Sequence, residues 1–231
     1  MTAGADNTTG NANVAIGNYA LRRNETGSFN TSVGYDSGPP SASYPNLENS
    51  TALGYNAAVT GSNTVRIGGS AVTSIGGQVN WTALSDSRIK THIAENIPGL
   101  AFIQRLRPVS YHYDIHRQNE LVGIVDTAQW EGKYDIEKIQ FSGFLAQEVE
   151  QAAREVGYDF SGVDAPRNER SLYGLRYAEF TVPLVKAVQE QQQIIEAQRQ
   201  QLELQGKLLA GLAARLEALE AAGRSVKVEN R

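Results

Sequence analysis

From Leu184 to Leu219 the chain keeps one spacing: Leu184, Val188, Gln191, Ile195, Gln198, Leu202, Gln205, Leu209, Leu212, Leu216 and Leu219 follow each other in steps of four and three. Val188, Ile195, Leu202, Leu209 and Leu216 fall at a and the others at d, which makes residues 181–222 a coiled-coil stalk. A helix of this kind presents a continuous apolar seam. Either the seam folds back on its own domain as weak heptads, or it binds other helices. Gln191, Gln198 and Gln205 favour the second reading, because polar layers in a seam fix register and oligomer state at some cost in stability. Gly206 and Gly211 weaken the helix by about 1 kcal/mol each, and residues 223–231 are expected to fray as a flexible tail.

The other end of the chain has the opposite composition. Residues 1–80 are rich in Gly, Asn, Ser and Thr and almost free of Lys and Glu. Four units recur: Asn13-Val14-Ala15-Ile16-Gly17, Asn30-Thr31-Ser32-Val33-Gly34, Ser50-Thr51-Ala52-Leu53-Gly54 and Thr64-Val65-Arg66-Ile67-Gly68, with Gly-to-Gly spacings of 17, 20 and 14 residues. Turn-forming stretches separate them. Short strands at a loose period read as a β-solenoid or β-prism fibre segment. Each unit offers one or two core side chains, with Ile16, Val33, Leu53 and Ile67 in phase. That is too few to offset the entropy of ordering the unit, so the units stack on each other and on other chains. The alternative is a disordered linker. Asp36–Glu48 breaks the period and reads as a surface loop.

Between these lies a mixed region, 81–180. A short helix is expected over 99–106, ended by Pro108. Strands are expected at Val109–Tyr113 and Ile139–Phe144, with a loop or hairpin insertion over Gln118–Ile139. A helix over Ala146–Val156 is closed by Gly157, and Ser171–Tyr177 leads back into the final helix. At the seam, Ser85-Asp86-Ser87-Arg88-Ile89-Lys90 can start a helix with Ser85 or Asp86 as N-cap. The expected fold class is α+β: N-terminal trimeric β-prism or solenoid repeats, a small α+β domain, and a C-terminal trimeric coiled coil, the number three resting on the prism-like repeats and mainly on the family resemblance given below.

Several functions are excluded. The net charge of −4 and the scattered basic residues argue against nucleic acid. There is no cysteine, hence no thiolate site. No apolar run approaches the roughly 20 residues of a membrane span. The first residues have neither the basic nor the apolar region of a signal peptide, so any route to the exterior is expected to be another one, such as release in a virus particle. His112 and His116 are four apart but lack a third ligand, so no metal is read there. No Gly-rich loop carries the P-loop lysine, and no cofactor is expected. Glu148 and Glu150 read as a solvated helix face.

The Asn-x-Ala-Ile-Gly units, over about 10–72, resemble head repeats of trimeric adhesins and phage tail-fibre shafts. The ordered blocks Ser85-Asp86-x-Arg88-x-Lys90-x-x-Ile93, Leu106-Arg107-Pro108-Val109-Ser110-Tyr111 and Gly143-Phe144-x-Ala146-Gln147-Glu148-Val149, followed by Tyr177 and the heptad helix, resemble the C-terminal intramolecular chaperone domain of endosialidases and phage tail fibres, the S74 autopeptidases. The resemblance implies a homotrimer in which 81–180 templates the upstream β-fibre of the same chain. It further implies that Ser85 is the nucleophile and Lys90 its base, with the chain cut at Ser85–Asp86, or as second choice at Leu84–Ser85. On spacing alone the pair reads as a cap and a solvated charge. A lysine acts as base when burial lowers its pKa from about 10.4.

Two functions follow. One is a chaperone that trimerises and templates a fibre, then removes itself. The other is a structural or adhesive fibre tip that keeps the domain. The expected location is a virion tail fibre or spike, or alternatively a bacterial surface or the secreted fraction, where the mature fibre would bind a cell-surface glycan or receptor. A glycan hydrolase is disfavoured because 1–80 shows no catalytic carboxylate pair.

Overall fold

The computed structural model describes residues 2–229, with side chains to Leu219. It is a mixed α/β chain with small sheets and a long C-terminal helix. Each repeat contributes one three-residue strand: β1 (Val14–Ile16), β2 (Thr31–Val33), β3 (Thr51–Leu53) and β4 (Val65–Ile67). The four pair in parallel in chain order, so every repeat returns to the same sheet one layer further on. Equivalent residues sit side by side, as Ile16 on Val33, Val33 on Leu53 and Leu53 on Ile67.

Alternation along a strand decides which column is inside. The middle residues Ser32 and Ala52 are buried. The expected core residues are not: Ile16 is 59 % exposed, Ile67 37 %, and Val33 and Leu53 are half-buried. The expectation of an aliphatic core is therefore corrected. The inward strand positions carry the small Ser32 and Ala52, and the aliphatic columns form an outer face. Four glycines of positive φ, Gly17, Gly34, Gly54 and Gly68, follow the strands; a methyl at Gly34 would press on the backbone of Gly54 in the next layer.

Asparagines hold the layers from within. Asn13 accepts the Asn30 N–H through Oδ1 (2.9 Å) and donates to the Gly27 carbonyl (2.8 Å). Asn30, itself buried, repeats the move one layer on. It accepts the N–H and hydroxyl of Ser50 (3.0 and 2.6 Å) and donates to the Leu47 carbonyl (2.6 Å). Buried polar groups are tolerated because they are paired. The stretch Asp36–Glu48, expected as a surface loop, instead supplies buried Tyr44 and Leu47, which pack with Ala52, Ala57 and Val59.

The mixed region has a core of its own. Helix α1 (Leu100–Ile103) puts Phe102 against Phe160, with ring centroids 5.0 Å apart. Strand β5 (Val109–Tyr111) pairs antiparallel with β6 (Phe141–Gly143). Helix α3 (Ala146–Glu155) buries Val149, Ala152 and Ala153 in the same cluster, which Phe180 completes. A two-residue pair, β7 (Val163–Asp164) and β8 (Gly174–Leu175), lies beyond it. Within the expected 118–139 insertion the chain is more ordered than its composition implies. Helix α2 (Ile115–Val122) runs into it, capped by Asp114, which accepts the Arg117 N–H at 2.7 Å, and ended by Gly123 at φ 83°. A 3-10 turn spans Asp135–Lys138.

Helix α4 (Thr181–Glu229) is 49 residues long. It is fixed at its base, where Glu190 accepts the Leu100 N–H at 2.8 Å and Pro183 and Ala187 are buried. From Gln191 to Leu219 every residue is exposed, so no other part of the chain covers the heptad seam. Gly206 and Gly211 do not break the helix, which continues through Glu229 into the stretch expected to fray; Asn230 and Arg231 lie outside the described residues.

The mixed region grips the repeats. Tyr19, Tyr35 and Tyr55 form an aromatic column, with centroids 5.6 and 5.7 Å apart, and Trp130 closes it edge-on at 5.2 Å from Tyr55. The Tyr55 hydroxyl donates to Asp126, which also pairs with Lys133 at 3.0 Å. Both charged side chains are almost fully buried, and the Lys133 ammonium lies over the Trp130 and Tyr134 rings. A second grip comes from 167–168: Arg167 donates to the Ser62 carbonyl and Asn168 to that of Thr60, both at 2.8 Å. Burial opposes charge on Asp126, but the hydrogen bonds from Tyr55 and Lys133 and the Lys133 charge outweigh it and hold the carboxyl below its ordinary range.

A carboxyl with a lowered folded pKa contributes stability that is present above the unfolded value of about 3.9 and is lost as pH falls through the folded value. Docking, followed by Trp130 fluorescence, should therefore stay constant from about pH 8 to 5 and loosen below about pH 4. Lys133→Met leaves the buried carboxylate unpaired and should cost about 3 kcal/mol in a denaturant melt. A pH-independent Trp130 signal, or an unshifted melt, would contradict this account of the grip.

Candidate functional site

Residues 72–96 cross from the repeats to the mixed region and are exposed throughout. Their apolar side chains are unusually bare, with Trp81 86 % and Leu84 88 % exposed. Inside this stretch is one compact feature, the 3-10 turn Ser87–Ile89. Asp86 is its N-cap and accepts the Arg88 N–H at 2.9 Å. The same carboxylate takes the Arg88 guanidinium through both oxygens, at 3.0 Å from Nε and 2.5 Å from Nη2. The side-chain and backbone hydrogen bonds from Arg88 hold the Asp86 carboxyl below its ordinary range. The Lys90 N–H closes the turn on the Ser87 carbonyl at 3.2 Å.

With three residues per turn, the chain reverses enough for Lys90 to reach back. Its ammonium donates to the Ser85 hydroxyl at 2.7 Å. The two residues read from sequence as a dyad are thus brought together, and Asp86, read as the residue after the cut, holds the turn that does so. The expected α-helix is replaced by a single 3-10 turn.

The remaining motif blocks also meet in space. Val109 of β5 pairs with Gly143 of β6. The Tyr177 hydroxyl accepts the Phe144 N–H at 3.1 Å. Arg107 clasps Glu148 with two hydrogen bonds, 2.5 and 3.1 Å. Glu148 is therefore an ion-pair partner rather than a merely solvated carboxylate, a role that spacing alone did not assign.

Residues 85–158 match the family model described as the chaperone of endosialidase, Peptidase_S74. Over this stretch the chain is similar to the endosialidase-chaperone family. The match opens at Ser85, the dyad serine, and stops before α4, so neither the stacked strands nor the heptad helix takes part in it. No curated protein and no solved structure matches the chain. The endosialidase-chaperone match supports an intramolecular chaperone role.

The other candidates separate. His112 donates through Nδ1 to the Glu137 carbonyl at 2.8 Å, and His116 lies on the Tyr134 ring. Among the described residues no three His, Asp or Glu side chains gather as a metal site, and no helix is long and apolar enough to cross a membrane. Sequence reasoning missed Asp126, Trp130, Lys133, Arg167 and Asn168, which grip the repeats. The signal for them was weak: a Trp, a Lys and an Asp within a stretch read as loop.

Gly143 tests how tightly the chaperone domain is built. A Cβ there would overlap the Tyr177 hydroxyl. Gly143→Ala should therefore displace Tyr177 and lower the midpoint of thermal unfolding, by about 2 kcal/mol of stability. Pairing it with Tyr177→Phe, which removes the obstructing oxygen, should recover part of the loss. Equal melts for wild type and Gly143→Ala would show that this contact is slack.

Proposed function

We propose that the chain is a self-removing folding module of a β-fibre. Its parts are a fibre segment over 1–80, an autopeptidase chaperone over 81–180 and a trimeric stalk over 181–222. The carrying observation is the Lys90 ammonium on the Ser85 hydroxyl at 2.7 Å, at the start of the family match and at the junction of repeats and chaperone. Three α4 helices bury their seams together, and the gripping loops hold the stacked strands in register while they fold. Non-local β pairing is slow and prone to misassembly, which is where a template helps. The cut then removes the template and traps the product kinetically.

The cut proceeds as acyl transfer. The Lys90 amine takes the Ser85 hydroxyl proton while Oγ bonds to the scissile carbonyl carbon. The C–N bond breaks, the amine of the following residue leaves with that proton, and water hydrolyses the ester, restoring Ser85. A cut at Ser85–Asp86 has one constraint. Oγ reaching its own carbonyl would close a strained four-membered ring, so the attacking serine belongs to another copy. A cut at Leu84–Ser85 closes a five-membered ring and works within one chain. In the single chain the dyad is exposed and the lysine is the donor; burying Val79, Trp81, Leu84, Ile89 and Ile93 between copies supplies the desolvation that reverses the proton's direction. The same exposure is the observation that favours the second reading, an uncut fibre tip with an inert dyad. The fibre is assigned to a virion tail or spike, with a glycan or receptor as its target.

Intact-mass analysis of the purified full chain should give fragments ending at Ser85 and starting at Asp86, while Ser85→Ala and Lys90→Ala stay whole. A start at Ser85 would assign the cut to Leu84–Ser85. Leu202→Asp with Leu209→Asp should leave a monomer by light scattering, and that monomer should stay uncut. A wild-type trimer that remains whole on prolonged incubation would establish the fibre-tip reading instead.

A further inference from the structure

We propose that Arg88 is a positioning residue for this cut: by holding the Asp86 carboxylate it keeps that negative charge off Lys90 and so leaves the Lys90 amine free to accept the Ser85 proton. The inference rests on the Ser85 and Lys90 reading above.

The turn bonds Lys90 to Ser85, whose covalent neighbour is Asp86, four positions before Lys90 in sequence. A carboxylate close to an amine favours the ammonium form, which cannot act as a base. The stretch contains such a carboxylate at the worst place, next to the nucleophile. In the structure it is engaged elsewhere. Its Oδ1 takes the Arg88 N–H and Nε, and its Oδ2 takes Nε and Nη2, while Lys90 bonds to Ser85. Arg88 is suited to this task because a planar guanidinium fits both carboxylate oxygens at once and stays charged at every working pH. The other charged or titratable groups of the stretch are His92 and Glu95. Among the described residues no ion pair reaches into 72–96 from another element.

The pair does not explain itself as a source of stability. It is at the surface, with the Arg88 side chain 86 % exposed, and an exposed pair of this kind contributes little. Two roles are therefore separable. If the pair only shapes the turn, removing both partners is as harmful as removing one. If it screens Lys90, removing both restores the site.

The experiment uses the full chain and follows disappearance of the uncut species by mass spectrometry from pH 6 to 10, with light scattering to confirm equal assembly. Arg88→Gln should be cut about tenfold more slowly than wild type at pH 7 and should approach the wild-type rate above about pH 9. The double variant Asp86→Asn with Arg88→Gln should be cut severalfold faster at pH 7 than Arg88→Gln alone. Arg88→Gln that matches wild type at every pH, or is slowed equally at every pH, overturns the inference, as does a double variant as slow as the single. Those outcomes leave the dyad standing provided wild type is cut and Ser85→Ala is not. An uncut wild type, or a cut Ser85→Ala, removes the dyad reading and this inference with it.

Discussion

A single copy of this chain does not cover its own apolar surface, and every other feature follows from that. The outer columns of the stacked strands expose Val14, Ile16, Val65 and Ile67. The crossing stretch exposes Val79, Trp81, Leu84 and Ile93, and α4 exposes Ile195, Leu202, Leu209 and Leu216. Scattered surface leucines are ordinary, but continuous stripes on three successive parts of one chain mark interaction surfaces. The core that the chain does bury lies mainly in the mixed region and inside the repeats. One association that buries all three stripes accounts for them with a single symmetry, and the proposed trimer is that association.

The order of events is set by where each stripe lies. The heptad helix is local structure and needs no distant partner within its own chain, so it can gather copies early. The strands pair with residues 14 to 20 positions away and gain their interior only when layered. The grip at Tyr55, Asp126, Lys133 and Trp130 connects the two regimes. It presents an ordered aromatic edge and a buried ion pair to one layer of the stack, and a layer that is out of register does not bring Tyr55 to Asp126. Buried charges gain little as stabilisers, but their partner requirement makes them discriminating. This is a reason for a chaperone domain to use them against a segment whose own layers, alike in Asn and Gly, specify register weakly.

Much of this was legible in the residues. The 4-3-4-3 spacing predicted α4, and the exposed seam from Gln191 onward removes the alternative of packing on its own domain. Alternation and Pro108 located β5, and Ala146–Val156 read as a helix because its apolar positions recur at helical spacing. The failures have physical causes. The aliphatic residue before each Gly reads as core because apolar residues are usually buried, but strand alternation turns the middle residue inward and this one outward. The segment 118–139 was read as loop because its composition is mixed. Its order comes from the Lys133–Asp126 pair inside the segment and from Tyr55, whose contact with Asp126 spans 71 residues and is encoded by no local pattern. On spacing alone Ser85 and Lys90 read as a cap and a solvated charge, and only the family resemblance pairs them; the turn that joins them depends on the Asp86 cap, and the bidentate hold of Arg88 needed coordinates.

The exposure of the dyad bears on timing. A serine and lysine that reacted in the isolated chain would sever the template from its client before the client had folded. Here the pair is assembled by one short turn but is left in water, with the lysine donating. Water supports the ammonium, and the apolar side chains on either side of the pair have nothing to rest on. In the proposed trimer, burying those side chains between copies would change both conditions at once, because the surface that drives association would also desolvate the lysine. Asp86 is the flaw in such a scheme, since desolvation strengthens any attraction between its carboxylate and the Lys90 ammonium just when the amine must lose its proton. In the proposed cut, engaging that carboxylate with Arg88 beforehand removes the competing partner of the Lys90 amine.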